Sequence, residues 1–335
     1  MIKILIDING ADHSPHALIA GGILALRQKS GFIVVFIGKQ NVIIQELCNY
    51  NYDKSRVQII HADDEVTNED KPTDAVKAKK ESSMIKGLHI LKDSQEIVGM
   101  ISAGNTGAYL AGGTLIVGRI PGVNRPALAA LVPNLDGDRF CICDAGANVD
   151  SKPEFLNQFS VLSTCYVRGF LDIVTPRTAL LNNGTEQSKG NELTKSAYDL
   201  LIKNSSINFT GNIEGREALT GQADIIVADG MLGNVLLKSI EGTAISIFKM
   251  LKKSIMEGGI RSKFGALMLK STFEKIKTKM DYQTVGGAPL LGLNKIVLKA
   301  HGSSNQTSIA QSILDIQKMH NTNIIDNIKC TIDKI

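Results

Sequence analysis

The chain contains no tryptophan, and aromatic residues make up only 5% of its 335 positions. Single-stranded nucleic acids are gripped by stacked rings, so no nucleic-acid partner is expected. Charge says the same: 37 Lys and Arg against 33 Asp and Glu leave a net of +4, far from the basic excess of a phosphate-backbone binder. The five cysteines, Cys48, Cys141, Cys143, Cys165 and Cys330, are odd in number and lack paired spacing, which excludes a disulfide framework and suits a reducing compartment. Cys141 and Cys143 alternate in RFCIC and should face one side of a strand as buried thiols, because no further zinc ligands accompany them. No apolar run approaches the ~18 residues of a membrane span. The start, MIKILIDING, carries Lys3 and Asp7 and reads as a strand rather than a signal peptide. A cytoplasmic protein is expected. Motifs of the forms GxxxxGKS/T, GxGxxG, HExxH and GxSxG are absent as well, so neither a metal nor a cofactor is expected.

What the chain does have is a series of apolar runs of strand length, at 2–6, 32–38, 57–60, 97–102, 127–132, 139–143, 178–182 and 224–229. Segments of helical length lie between most of them. Continuous apolar strands alternating with helices predict an α/β fold, three layers with a mainly parallel sheet covered on both faces. In the first crossover Ser14 can cap a helix, Pro15 takes its first position and Gly31 follows its end. No repeat or low-complexity linker divides the chain, so 1–335 reads as a single α/β/α domain, bilobed at most.

One segment departs from this pattern. Residues 249–280 hold nine Lys or Arg against Glu257 and Glu274, so this stretch carries +7 and the remainder of the chain −3. Ile260, Phe264, Leu267 and Met268 make an apolar stripe at helical spacing among Lys252, Lys253, Arg261 and Lys263. Such a helix can lie on an anionic membrane, receive an acidic protein, or pack on its own core or a second subunit.

Polar, glycine-bearing loops follow the strands: 7–15, 103–107, 144–148, 183–190, 208–215, 229–238, 286–292 and 301–305. Ligands of such sheets bind at the carboxyl ends of the strands. In ISAGNTGAYLAGG (101–113), Gly104 and Gly107 let the backbone approach a ligand, and Asn105 and Thr106 open a helix through 118. Its first amides favour an anion. Ser102 and Thr106 add hydroxyls. A capped turn without a ligand has the same appearance. Lys189 sits among small residues in GTEQSKG, where it can neutralise a phosphate or simply be solvated. Asn234 stands at a strand-to-helix turn, able to polarise a carbonyl or to cap. His13 and His301 lie among glycines and small polar residues. Asn148, Glu214, Asp229 and Ser303 are further candidates for a pocket, and carboxylates at such places also serve as caps. The inventory is rich in groups that hold anions and poor in covalent nucleophiles.

Ten stretches in order, DINGADHSP, DKPTDAVKAKKESSM, SAGNTGA, RPALAALVP, DAGANVD, LNNGTEQSKG, NFTGNIEGRE, DGMLGNVLLKSIEG, GGAPLLGLN and HGSSN, closely resemble the bacterial phosphate acyltransferases of phospholipid synthesis. The resemblance spans residue 7 to about 305. It departs at Asn9, Ala11 and Ser14, where the family reads closer to DAMGGDHAP, and at Lys77, where arginine is usual. The resemblance implies an α/β/α fold akin to phosphotransacetylases and isopropylmalate-type dehydrogenases, with a helical projection at 240–282. It also implies a homodimer and peripheral association with the inner face of the cell membrane. The implied reaction moves a fatty acyl group from acyl-acyl-carrier protein to orthophosphate. Because phosphate is the nucleophile, no acyl-enzyme is needed. On this reading Ser102, Gly104, Asn105, Thr106, Gly107 and Lys189 hold phosphate, Asn234 polarises the thioester carbonyl, and His13 or His301 assists. A phosphotransacetylase using acyl-CoA is the alternative. A decarboxylating nicotinamide dehydrogenase is disfavoured, since DGMLGN offers one carboxylate where a metal-binding Asp pair is expected. A non-catalytic membrane scaffold would have no use for eight polar loops.

Overall fold

A computed structural model describes residues 1–280 and 286–333. In chain order its elements are β1 (Ile2–Asp7), α1 (His16–Gln28), β2 (Phe32–Gly38), α2 (Gln40–Leu47), β3 (Val57–His61), α3 (Pro72–Ala78), α4 (Ser83–Asp93), β4 (Ile97–Ser102) and α5 (Thr106–Gly112). There follow β5 (Ala127–Pro133), β6 (Arg139–Cys143), α6 (Pro153–Leu171), β7 (Arg177–Asn182), α7 (Glu192–Leu201), β8 (Asn208–Glu214) and β9 (Ile225–Val227). The last are α8 (Gly230–Glu257), α9 (Gly259–Met268), α10 (Lys270–Met280), β10 (Ala288–Leu291), β11 (Ile296–Lys299), α11 (Gln306–Asn321) and α12 (Ile324–Ile332). Among the described residues the strands form one 11-stranded sheet in the order β3-β2-β1-β4-β11-β10-β5-β6-β9-β7-β8. Pairing is parallel except at β11–β10, β10–β5 and β5–β6.

The apolar runs become strands because both faces of the sheet are covered. One face packs against α1, α2, α6, α7, α11 and α12, with Leu18, Ile43, Leu162, Leu201, Ile313 and Ile328 buried. The other packs against α3, α4 and α5 over its first half and against the base of α8 over its second. The expected three-layer α/β architecture is therefore present. Cys141 and Cys143 are buried on the same face, while Ile142 between them faces the other. Both thiols are pushed far above their usual pKa by burial.

Three strands were not expected from the sequence. Edge strand β8 is half exposed and alternates Asn, Thr and Asn with its apolar residues, so it reads as a polar loop. β10 and β11 are four residues each, and β10 carries Pro289. The first crossover also differs in detail. Pro15 occupies the N-cap rather than the first helical position, and no side chain caps α1. Ser14 Oγ instead accepts from the Ala11 amide at 2.8 Å, closing the turn before the helix.

The helical projection runs through α8, α9 and α10, and residues 281 and 282 lie outside the described part. α8 alone is 28 residues, about 42 Å at the α-helical rise. Only Gly230 and Gly233 at its base are buried. Ile260, Phe264, Leu267 and Met268 are 64–88% exposed, which removes the reading that this stripe packs on the chain's own core. Although no single run is long enough, α8 does contain an 18-residue window of mean hydropathy 1.2, long and apolar enough for a membrane span by those two measures.

Candidate active site

Loop β1–α1 and the turn after β4 meet at the carboxyl edge of the sheet. Gly10 has φ +84°, and a Cβ there would overlap the Gly104 backbone, so only glycine fits on both counts. Beneath this contact Asp7 is fully buried. Its carboxylate accepts from Ser83 Oγ at 2.7 Å, Ser102 Oγ at 2.8 Å and the Asn9 amide at 3.2 Å. Burial outweighs these donors and raises the carboxyl to about 6. Ser102 is thus turned inward, accepts from the Gly104 amide at 3.2 Å, and has no exposed hydroxyl for a ligand. Asn105 is likewise committed. Its Nδ2 donates to the carbonyls of Thr67 and Asp70, and its Oδ1 caps α5 by accepting from the Ala108 amide at 3.0 Å. Gly107 makes room for Pro72. Thr106 is the exposed residue of this loop.

A second cluster fixes the base of α8. Asp144, at the end of β6, accepts from the amides of Leu128, Gly146, Ala147 and Asn148 and from Asn148 Nδ2, all within 3.2 Å. Asn148 Nδ2 also donates to the Pro126 carbonyl. So Asn148 braces a loop. Gly230 and Gly233 then let α8 rest directly on the backbone of Asn148 and Asp144. Asp229 caps that helix, accepting from the Leu232 amide at 3.0 Å. The outcome is to stand Asn234 against Gly146, within van der Waals reach.

From this point a cleft of about 460 Å³ runs between α8 and the sheet. Of the residues singled out in the sequence, Thr106, Asn234, His301 and Ser303 line it together. Sequence reasoning missed three more: Lys238, Glu241 and Lys299. Lys238 and Glu241 lie four and seven residues after Asn234, on one face of α8, and their charges pair at 2.6 Å. Lys299 ends β11, where a lysine closing an apolar run just before a glycine loop was the available signal. Its Nζ donates to the carbonyls of Ala103, at 3.0 Å, and Ala300. Burial lowers it to about 8, with Asp7 raising it and Lys238 lowering it further. The His301 ring contacts Ser303 Oγ through Nδ1 at 2.8 Å and Lys238 Nζ through Nε2 at 3.3 Å. The Ser303 amide also donates to Nδ1, at 3.2 Å, so both ring nitrogens face hydrogen-bond donors. Burial, then Lys238, holds this histidine below its ordinary pKa, which favours the neutral ring.

The remaining candidates stand outside the cleft lining. His13 is exposed, on a loop joined to the His301 loop by the Asp12 amide and the Gly302 carbonyl at 2.8 Å. Lys189 is exposed on the loop after β7, its stem lying over Gly184. Glu214 ends β8, where it pairs with Arg216 and shares a capping box with Glu217. Loops after β7 and β8 lie farther along the same edge, beyond β9. Among the described residues no group of three or more His, Cys, Asp or Glu is placed to hold a metal ion.

Comparison with known proteins adds a separate line of observation. The fatty acid synthesis protein family matches residues 2–327. The phosphate acyltransferase of Clostridium botulinum is 44% identical over 333 residues, covering 99% of each chain. That of Lactiplantibacillus plantarum is 44% identical over 331 residues, covering 98% of this chain and 94% of its own. Among solved structures, a phosphotransacetylase from Streptococcus pyogenes superposes with a TM-score of 0.61 at 18% identity, covering 95% of this chain and 94% of its own. The EutD phosphotransacetylase from Staphylococcus aureus gives 0.60 at 14% identity with the same coverage. At such identities the solved structures establish the fold alone.

Proposed function

This chain belongs to the phosphate acyltransferase family, and from that premise we propose that it transfers a fatty acyl group from acyl-acyl-carrier protein to orthophosphate within the cleft beneath α8. It is an acyltransferase that uses phosphate; the carrier thioester as donor is our reading. The observation that carries it is the convergence of Asn234, Thr106 and the His301–Ser303 loop with two ammonium groups, Lys238 and Lys299.

Orthophosphate is substantially dianionic near neutral pH and needs no strong general base to become a nucleophile. Lys299 and Lys238 offset its charge in a site partly closed to water, where such pairing is strong. Thr106 Oγ1 adds a donor. Asn234 donates to the thioester carbonyl and stabilises the tetrahedral oxyanion as phosphate adds. Collapse expels the carrier's thiolate and leaves acyl phosphate. The proton that the hydrogen phosphate brought passes to that sulfur through His301, which accepts it at one ring nitrogen and donates from the other. Lys189, one strand beyond β9, covers the charged end of the substrates. On this reading the arm of α8–α10 rests on an anionic membrane surface through Ile260, Phe264, Leu267 and Met268, flanked by Lys252, Lys253, Arg261 and Lys263. The active form is a homodimer in the cytoplasm, peripheral to the membrane.

The test is incubation with hexadecanoyl-carrier protein and phosphate, with hydroxylamine trapping the product. Acyl hydroxamate should form faster than with acyl-CoA at equal concentration, and Asn234→Ala should lower kcat about a hundredfold. Lys189→Ala should raise the KM for phosphate with a smaller change in kcat. No hydroxamate from either donor would end this reading, and a preference for acyl-CoA would put the phosphotransacetylase-type reaction in its place.

A further inference from the structure

The cleft has a second half that the chemistry at its mouth does not use. Beyond Asn234 its floor is the face of β5 that carries Leu128, Ala130 and Val132, and its roof is the face of α8 that carries Leu237, Ile240 and Ala244. The three floor residues are 4–8% exposed and belong to the apolar cluster between sheet and helix. Side chains alternate along a strand, so Leu128, Ala130 and Val132 share one face of β5, while Leu131 packs in the opposite core and also borders the cleft. On α8 the lining face carries the polar Asn234, Lys238 and Glu241 beside the apolar Leu237, Ile240 and Ala244. Lys238 and Glu241, paired with each other, edge the trough, and Ala244 closes the helical part of its lining.

We infer that this trough is the seat of the acyl tail, and that Ala130 in its floor and Ala244 at its far end set the longest chain accepted. The occupant follows from continuity. A substrate whose carbonyl lies at Asn234 has its tail beside the trough, because Asn234 lines the same cleft as Leu237, Ile240 and Ala244. From Asn234 to Ala244 the helix advances about 15 Å, and the whole cleft encloses about 460 Å³, within the usual range for a site that buries a ligand of lipid size. Small residues at both levels matter, because Ala130, between Leu128 and Val132 in the floor, leaves space between strand and helix. A larger side chain there would fill the trough while leaving Asn234, Lys238 and Lys299 in place. The inference rests on the acyl transfer proposed above, but not on the identity of the carrier.

Two variants test it, Ala244→Leu on the accessible helix face and Ala130→Leu in the floor. Each is assayed with hexadecanoyl and octanoyl thioesters of the same carrier, with hydroxamate as readout. For Ala244→Leu, kcat/KM on the hexadecanoyl donor should fall about tenfold or more, and on the octanoyl donor stay within about twofold. Displacement of a fluorescent fatty acid by hexadecanoate, which needs no turnover, should weaken in parallel. Ala130→Leu should shift the preference in the same direction. If Ala130→Leu fails to fold, Ala244→Leu alone decides. Equal losses on both donors, or unchanged hexadecanoate displacement, would overturn the assignment while the wild type still formed hydroxamate. No hydroxamate from the wild type would instead strike at the acyl transfer itself.

Discussion

The carboxyl edge of the sheet and the arm that rises from it are built on opposite principles. At the edge the buried polar side chains are committed: Asp144 takes five hydrogen bonds, Asp7 three, and Asn105 both donates and caps. Glycines at 10, 230 and 233 let backbones touch. Along the arm Ile260, Phe264, Leu267 and Met268 face outward, and beyond its base the pairs Lys253–Glu257 at 3.8 Å and Lys270–Glu274 at 3.9 Å are exposed and loose. Pairs of that kind contribute little. The edge holds a few atoms in fixed relation, which catalysis requires. The arm keeps apolar surface in water, a cost repaid only when something else covers it.

The sharpest way to break this contrast is Gly10→Ala. The new Cβ would meet the Gly104 backbone at a positive φ, and neither neighbour can move without shifting the 103–107 loop. Destabilisation of roughly 2–4 kcal/mol is expected, with loss of activity, read by urea unfolding and turnover. A change below about 0.5 kcal/mol would show the edge to be more yielding than its packing implies.

A smaller effect distinguishes the two regions by pH. Asp7 and Asp315 are both buried, and burial raises each from 3.8 to about 6. The folded chain therefore holds these protons to a higher pH than the unfolded one does, and stability falls as pH rises from about 4 to about 6. Each group is worth ~2 kcal/mol across that window. Asp315→Asn, whose side chain packs behind Gly286 and does not itself line the cleft, should flatten part of the fall in denaturant midpoints, with turnover at pH 7 within about twofold of wild type. An unchanged slope would contradict the burial-driven shift.

The smallest stability change belongs to the arm. Replacing Ile260, Phe264, Leu267 and Met268 with Ser should alter unfolding free energy by less than about 0.5 kcal/mol each and leave turnover of a soluble donor near wild type. Flotation with anionic liposomes should be lost. If flotation persists, the membrane lies elsewhere and the stripe faces a carrier or a second subunit.

Much of the fold was legible because its signals are local. Buried strands such as β2, FIVVFIG, announce themselves by continuous apolar residues. β8, β10 and β11 did not, because an edge strand needs few apolar residues and a four-residue strand has no period to detect. At the site, Asn234 was visible as a polar residue at a strand-to-helix turn. Ser102 and Asn105 looked equally suitable, yet their hydrogen bonds go to Asp7, Thr67 and Asp70, partners 95, 38 and 35 residues away. Lys299 was passed over for the converse reason. It seemed a lysine at the end of a run, and the carbonyl of Ala103 that holds it comes from a loop nearly 200 positions earlier.

The sequence by itself determined which residues must be inside, which runs are strands, and that polar loops collect at one end of them. Its resemblance to one family determined the chemistry. Only the tertiary structure decided that β11 inserts beside β4 and that β10 turns antiparallel against β5. That arrangement brings Thr106, Asn234, Lys238, Lys299 and His301 to one cleft and leaves Lys189 and Glu214 farther along the edge. The reason is physical. Periodicity records the environment of each residue, whereas strand order and the direction of a polar side chain depend on which distant groups share the space.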